Sequence, residues 1–371
     1  MNTIDFENIA RVNNRFRYYL AIMDGVNVLA IWLILTWLQV KHAPFWAGVI
    51  GLLPTSWIGS STWGQIDGMG QFFILLFFIT LILLNNKTTT LKRYLLLFVA
   101  GKLLALMLLT KQLIYFSMGA LGLILFVNLF WYSRKPKDVT LSALVVFVAF
   151  AMPILYVDSV LQLPDSYVSH IQYILATGSQ HGDIISSLGF NIWVFFTDNL
   201  LGSSHFPLQI GSLTLLSPYS TGLILFFILN SGLFLLFLRN LRSQKIDNQV
   251  GFHRDQLISA LFYFALVNLS FNLALTGTHE RYLYHFYPFI IMACLACLSH
   301  VPKLNRILLA ALLLGSLFYG AFLYGYLAIV IRPLNLVAIR SGAFIHLALF
   351  IFILYTWMRN SNPQTIPSSQ T

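Results

Sequence analysis

Long apolar runs alternate with short polar connections along almost the whole chain. The runs fall near residues 19–40, 43–59, 70–84, 94–110, 113–132, 140–157, 217–238, 257–276, 285–300, 306–330 and 342–358. Crossing the ~30 Å hydrocarbon core of a bilayer takes roughly 20 helical residues. The pattern therefore predicts an all-α, polytopic transmembrane helical bundle of about eleven spans. The runs at 70–84 and 285–300 are the weakest of the set.

The interval from Asp158 to Leu216 breaks this rhythm. Its stretch "PDSYVSHIQYILATG" reads as an amphipathic helix lying in the membrane interface. Its stretch "IISSLGFNIWVFF" reads as a segment dipping into the membrane edge. Neither has the makings of a separate folded unit. The expectation is one transmembrane domain over 1–371, with an insertion near 158–216 and a polar tail, "RNSNPQTIPSSQT".

Charge gives this pattern a direction. Of 22 Lys and Arg residues, 14 fall in connections on one side: Lys41, Lys87, Lys92, Arg93, Arg134, Lys135, Lys137, Arg239, Arg242, Lys245, Arg254, Lys303, Arg306 and Arg359. Seven lie on the other side (Arg11, Arg15, Arg17, Lys111, Arg281, Arg332, Arg340), and Lys102 sits inside a run. The positive-inside rule places the first group in the cytoplasm, in a multi-pass cell (inner) membrane protein with its 158–216 insertion outside. The opening "MNTIDFENIARVNNRFRYY" lacks the pattern of a cleavable signal, because Asp5 and Glu7 precede its basic residues.

Composition agrees. The chain is 58% hydrophobic, 15% aromatic and only 9% charged, a balance that water could not solvate in a soluble protein of 371 residues. Its net charge of +10 comes from short clusters between apolar runs, so nucleic acid is not an expected partner. Cys294 and Cys297 share a helix face among small apolar neighbours and read as buried filler rather than a redox or metal pair.

The unusual polar residues collect on the outer side. They lie in "SSTWGQIDGMGQ" (Ser60–Gln71), "LLTKQLIYF" (Leu108–Phe116), "GFNIWVFF" (Gly189–Phe196) and "GTHERYLYHFYP" (Gly277–Pro288). Each has a plain structural reading. Trp63 could anchor an aromatic belt while Gln65 and Asp67 are solvated in a glycine turn. Lys111 could snorkel to the interface, and Asn191 and Trp193 could cap and anchor a helix. Their shared location favours a common site instead. In "THER", Thr278 has the character of an N-cap for a helix running inward past Tyr282 and His285 to a kinking Pro288. That would put Glu280 in the first turn, with His279 and Arg281 beside exposed N–H groups fit for an anion such as phosphate. A structural ion pair is the alternative there.

In that order, "STWGQIDGMGQFFILLFFITLILL", "LLTKQLIYF", "SSLGFNIWVFF" and "HERYLYHFYPF" resemble bacterial membrane proteins related to the GPI mannosyltransferase II family, of the GT-C class of glycosyltransferases. The resemblance runs from about Arg15 to about Tyr326 and is specific at superfamily level. It implies a mannosyltransferase-like enzyme that transfers a sugar, with inversion, from a polyprenyl- or dolichyl-phosphate carrier to a glycan, lipid or protein acceptor outside the cytoplasm, and it does not name the sugar. Members of the class begin with a further helix and a first outer loop carrying an acidic base. This sequence opens on what matches their second helix, "RFRYYLAIMDGVNVLAIWLI".

A carboxylate must take the acceptor proton while cations steady the departing phosphate. The candidate catalytic residues are Asp67, Asp24 and Glu280, with Asp5 and Glu7 as remoter bases and Glu280 alternatively orienting Arg281. The candidate substrate-binding residues are Trp63, Gln65, Lys111, Gln112, Asn191, Trp193, His279, Arg281 and Tyr282. No Asp/Glu cluster has divalent-ligand spacing, so no metal or other cofactor is implied. Two rival classes stand beside the transferase: a transporter or flippase of a lipid-linked or anionic substrate, which Lys102 would suit, and an inactive accessory subunit.

Overall fold

The computed structural model describes residues 6–62, 66–84, 89–110, 114–132, 136–161, 169–207, 209–210, 213–214, 216–243, 253–298, 301–329 and 335–360. Among them are thirteen α-helices: α1 (Phe6–Trp37), α2 (Ala43–Leu52), α3 (Pro54–Trp57), α4 (Asp67–Leu83), α5 (Thr90–Thr110), α6 (Ile114–Tyr132), α7 (Pro136–Val160), α8 (His170–His181), α9 (Pro218–Ser243), α10 (Arg254–Ala274), α11 (Tyr287–Ala296), α12 (Pro302–Ile329) and α13 (Leu336–Asn360). Seven of these, α1, α5, α7, α9, α10, α12 and α13, contain stretches long and apolar enough to cross a membrane. The chain is a multi-pass helical membrane protein. Each of the eleven predicted apolar runs carries helix among its described residues, but four do so as shorter apolar helices, in α2, α4, α6 and α11.

The run at 43–59 is not one span. Leu53 leaves the helix for extended backbone (φ −61°, ψ 135°), as a residue before proline tends to, and Pro54 then opens α3. A π-turn follows (Ile58–Thr62). Ten residues of α2 rise only about 15 Å, half the hydrocarbon thickness. Irregular backbone at such depth persists where protein surrounds it, and here α1 and α12 do so.

Helix α10 is the axis of the bundle. Every residue from Gln256 to Ala274 is buried, and α6, α9, α11 and α13 pack around it. Its polar side chains find partners in this dry interior. The Ser117 hydroxyl donates to Asn268 Oδ1 (2.6 Å), Asn268 Nδ2 donates to the Phe264 carbonyl (2.8 Å), and Asn230 Nδ2 donates to Ser270 Oγ (3.1 Å). Such bonds tie α6 and α9 to α10 where water offers no alternative.

One end of the bundle is basic. There the Arg254 guanidinium donates to the Leu38 carbonyl beyond α1 (2.7 Å) and to Ala296 at the end of α11 (2.8 Å). Asn305 and Asn360 exchange amide bonds between α12 and α13 (3.3 and 3.1 Å).

The opposite end carries the insertion, which departs from expectation in one place. The amphipathic helix begins at His170, whose backbone N–H donates to Asp158 Oδ1 (2.8 Å). Its predicted start, near Pro164, lies outside the described residues. The segment expected to dip into the membrane edge instead supplies β1 (Ser186–Ser187) and a 3-10 turn (Ile192–Phe195) that plug into the protein. Phe190 is fully buried, stacked on His346 of α13 with centroids 5.1 Å apart.

Candidate functional site

The end of the bundle opposite Arg254 is assembled around "THER", but not as a helix start. Thr278–His279 forms β2, paired in parallel with β1 in the register Ser186–Thr278 and Ser187–His279. Glu280–Leu283 is a single 3-10 turn, and the α-helix begins only at Tyr287, with Pro288 in its first turn rather than at a kink. The N-cap reading of Thr278 is overturned by this long-range strand pairing, and with it the helix N-terminus offered to an anion. Gly277, at φ 66°, makes the sharp entry, and its N–H donates to the Ile185 carbonyl (3.1 Å).

Asn191 and Trp193 hold this arrangement together. Asn191 Nδ2 donates to the Ile185 carbonyl (2.9 Å) and to Thr278 Oγ1 (3.0 Å), while its Oδ1 caps the 3-10 turn through Trp193 N–H (3.1 Å). Trp193 Nε1 donates to the Ala274 carbonyl at the end of α10 (2.7 Å). Both side chains spend their polar atoms on fastening the insertion to the core. Tyr282 stacks on Phe271 (5.3 Å) and meets the half-buried His279 ring edge-on (5.2 Å), closing an aromatic column that continues through Phe271 to Phe116. The backbone of Glu280 and Arg281 lies in the 3-10 turn; their side chains, and the whole of Trp63, Gln65, Lys111 and Gln112, lie outside the described residues.

Two of the three candidate catalytic carboxylates, Asp67 and Asp24, are brought to the same helix crossing. Asp67 opens α4, where the helix dipole favours negative charge, and it is fully buried. Asp24 is half-buried on α1, against which α4 packs. Between them Gly68 approaches α1 so closely that a Cβ there would lie 2.8 Å from Asp24 Oδ1 and would collide with the Ser60 hydroxyl. Asn27, one turn beyond Asp24, donates its amide to the Gly68 carbonyl (2.9 Å). Over this patch sits Tyr284, whose hydroxyl is 2.8 Å from the Ser56 carbonyl and 3.4 Å from Asp24 Oδ1. Burial first, then the charges of Asp24 and Asp67, hold the Tyr284 phenol well above the usual tyrosine range, so it stays a hydrogen-bond donor.

Sequence reasoning passed over several members of this patch. Asn27 and Gln71 are buried at 3% and 1% exposure inside apolar helices, and Ser60, Tyr284 and His285 are equally enclosed. Ser60 and Gln71 bound a motif already singled out, and a lone amide in an apolar run is the signal that could have flagged Asn27. Lys102, within α5, lays its ammonium over the Phe98 ring 4.9 Å from the centroid, a contact that offsets part of the cost of its depth. Among the described residues, no group of three or more His, Cys, Asp or Glu side chains gathers to hold a metal. No protein family, curated protein or solved structure matches the chain.

Proposed function

We propose that the chain is a GT-C-like glycosyltransferase of the cell (inner) membrane that moves a sugar from a polyprenyl-phosphate carrier onto an acceptor hydroxyl at the extracytoplasmic face. The observation that carries this reading is the meeting of Asp24 and Asp67 beside Tyr284, at the end of the bundle away from Arg254. A carboxylate there takes the acceptor proton as the acceptor oxygen bonds to the anomeric carbon. The bond from that carbon to the phosphate oxygen breaks, its electron pair leaves with the phosphate, and configuration inverts. Asp67, in the first turn of α4, is the first choice as base and Asp24 the second. Arg281, Lys111 and His279 are the partners assigned to the phosphate.

The test is transfer by the purified chain in proteoliposomes supplied with radiolabelled polyprenyl-phosphate-mannose and a mixed glycolipid acceptor pool. The reading expects carrier-dependent labelling of acceptor, lost by about 100-fold or more in Asp67→Asn. Carrier movement across the bilayer without transfer would favour the transporter class instead.

A further inference from the structure

The α1–α4 crossing holds more acceptor oxygens than the protein satisfies. Asn27 points its Nδ2 at the Gly68 carbonyl, which fixes the amide and leaves Oδ1 buried with no hydrogen-bond donor. Gln71 Oε1 and Asp24 Oδ2 are likewise buried without one. The three residues meet at one crossing: Asp24 and Asn27 are a turn apart on α1, Gly68 and Gln71 a turn apart on α4, and the Asn27–Gly68 bond and the approach of Gly68 to Asp24 set the two pairs face to face. The bend and π-turn bring Ser60 against the same point. A buried oxygen left without a donor keeps its full desolvation cost, so three at one crossing call for a ligand.

The chemistry of the set selects that ligand. All three atoms are oxygens, two of them neutral amides and one a carboxylate. Oxygen-only shells suit hard cations, and divalent ions in such shells usually recruit several carboxylates. We propose that Asp24, Asn27 and Gln71 form a binding site for a sodium-sized monovalent cation at the α1–α4 crossing. The ion would neutralise Asp24 in the protein interior and lock the crossing that positions Asp67. The inference stands independently of the transfer reading, because its readout is binding to the resting protein.

The experiment is thermal unfolding of the full chain in detergent, followed by intrinsic tryptophan fluorescence, in NaCl against choline chloride at equal ionic strength. Sodium should raise the unfolding temperature by about 3 °C or more, with a dependence that saturates. Direct binding of ²²Na⁺ to the same preparation should saturate over the same range. Asn27→Leu and Gln71→Leu should each abolish the sodium-specific shift. Asn27→Asp, which keeps an oxygen at that position, should retain the shift and guards against a merely unfolded leucine variant. Equal stability in sodium and choline, a shift that survives both leucine substitutions, or a shift given by MgCl₂ or CaCl₂ and not by NaCl would each overturn the proposal.

Discussion

The Tyr284 hydroxyl lies 2.8 Å from the Ser56 carbonyl and 3.4 Å from Asp24 Oδ1, joining the segment after the 3-10 turn to the broken second run and to α1. A phenol has one hydrogen, and the shorter contact takes it. Tyr284→Phe would leave the Ser56 carbonyl buried without that donor. We expect a loss of about 1–3 kcal/mol in stability, read as a lower unfolding temperature, because the carbonyl keeps its desolvation cost. Substitution of the exposed Tyr18, by contrast, should move the unfolding temperature little.

Gly68 tests how closely α1 and α4 must approach. Gly68→Ala would thrust a methyl against the Ser60 hydroxyl and within 2.8 Å of Asp24 Oδ1. Overpacking of this kind costs about 1–3 kcal/mol, and transfer should fall with it as Asp24 and Asp67 are pushed apart. Gly48→Ala is the control, since a Cβ there meets open space. A Gly68→Ala protein as stable and active as Gly48→Ala would show that the crossing is slack.

How much of this was legible in sequence depends on the range of the interactions. The helices were, because an apolar run carries its own period and its own end signals. The break at Leu53 was signalled by Pro54, but unbroken hydrophobicity across 43–59 masked it. "THER" misled for a different reason. Its capping pattern is local, whereas the pairing of Thr278 with Ser186 spans the insertion and overrides it. The carboxylates Asp24 and Asp67 stood out singly, but their neighbours Asn27 and Gln71 did not. Each is one polar residue in an apolar helix, and only the packing of α1 on α4 makes them a set.

Asn191 should behave as a structural clasp. Asn191→Ala removes two donated bonds and the cap of the 3-10 turn, leaving the Ile185 carbonyl and Thr278 hydroxyl without that partner. The expected cost is about 1–3 kcal/mol, with faster protease cleavage in the exposed stretch around Leu201 and Phe206. Unchanged proteolysis would mean that the insertion is held by Trp193 and Phe190 alone.

The two ends of the bundle can be assigned to the two sides of the membrane by labelling. Ser203 and Lys303 are exposed at opposite ends, and the native Cys294 and Cys297 are buried and should contribute little background. In intact cells an impermeant maleimide should label Ser203→Cys and should reach Lys303→Cys only after permeabilisation. The reverse pattern would move Asp24 and Asp67 to the cytoplasmic half.

Arg281 bears most directly on the carrier phosphate. Had a helix begun at Thr278, its free N–H groups would share the anion with the side chains. The α-helix begins instead at Tyr287, and the backbone near Thr278 is engaged by β1, so side chains must supply the charge. Arg281→Ala should therefore weaken carrier binding by about 2–5 kcal/mol, as loss of a desolvated charge partner does. Arg281→Lys keeps the charge but replaces a bidentate fork with a point charge, so it should fall between alanine and wild type. Binding of polyprenyl phosphate to the purified chain, measured beside unfolding temperature, separates the two roles. A lower unfolding temperature with unchanged carrier affinity in Arg281→Ala would assign the residue to a structural ion pair and leave the phosphate to Lys111 and His279.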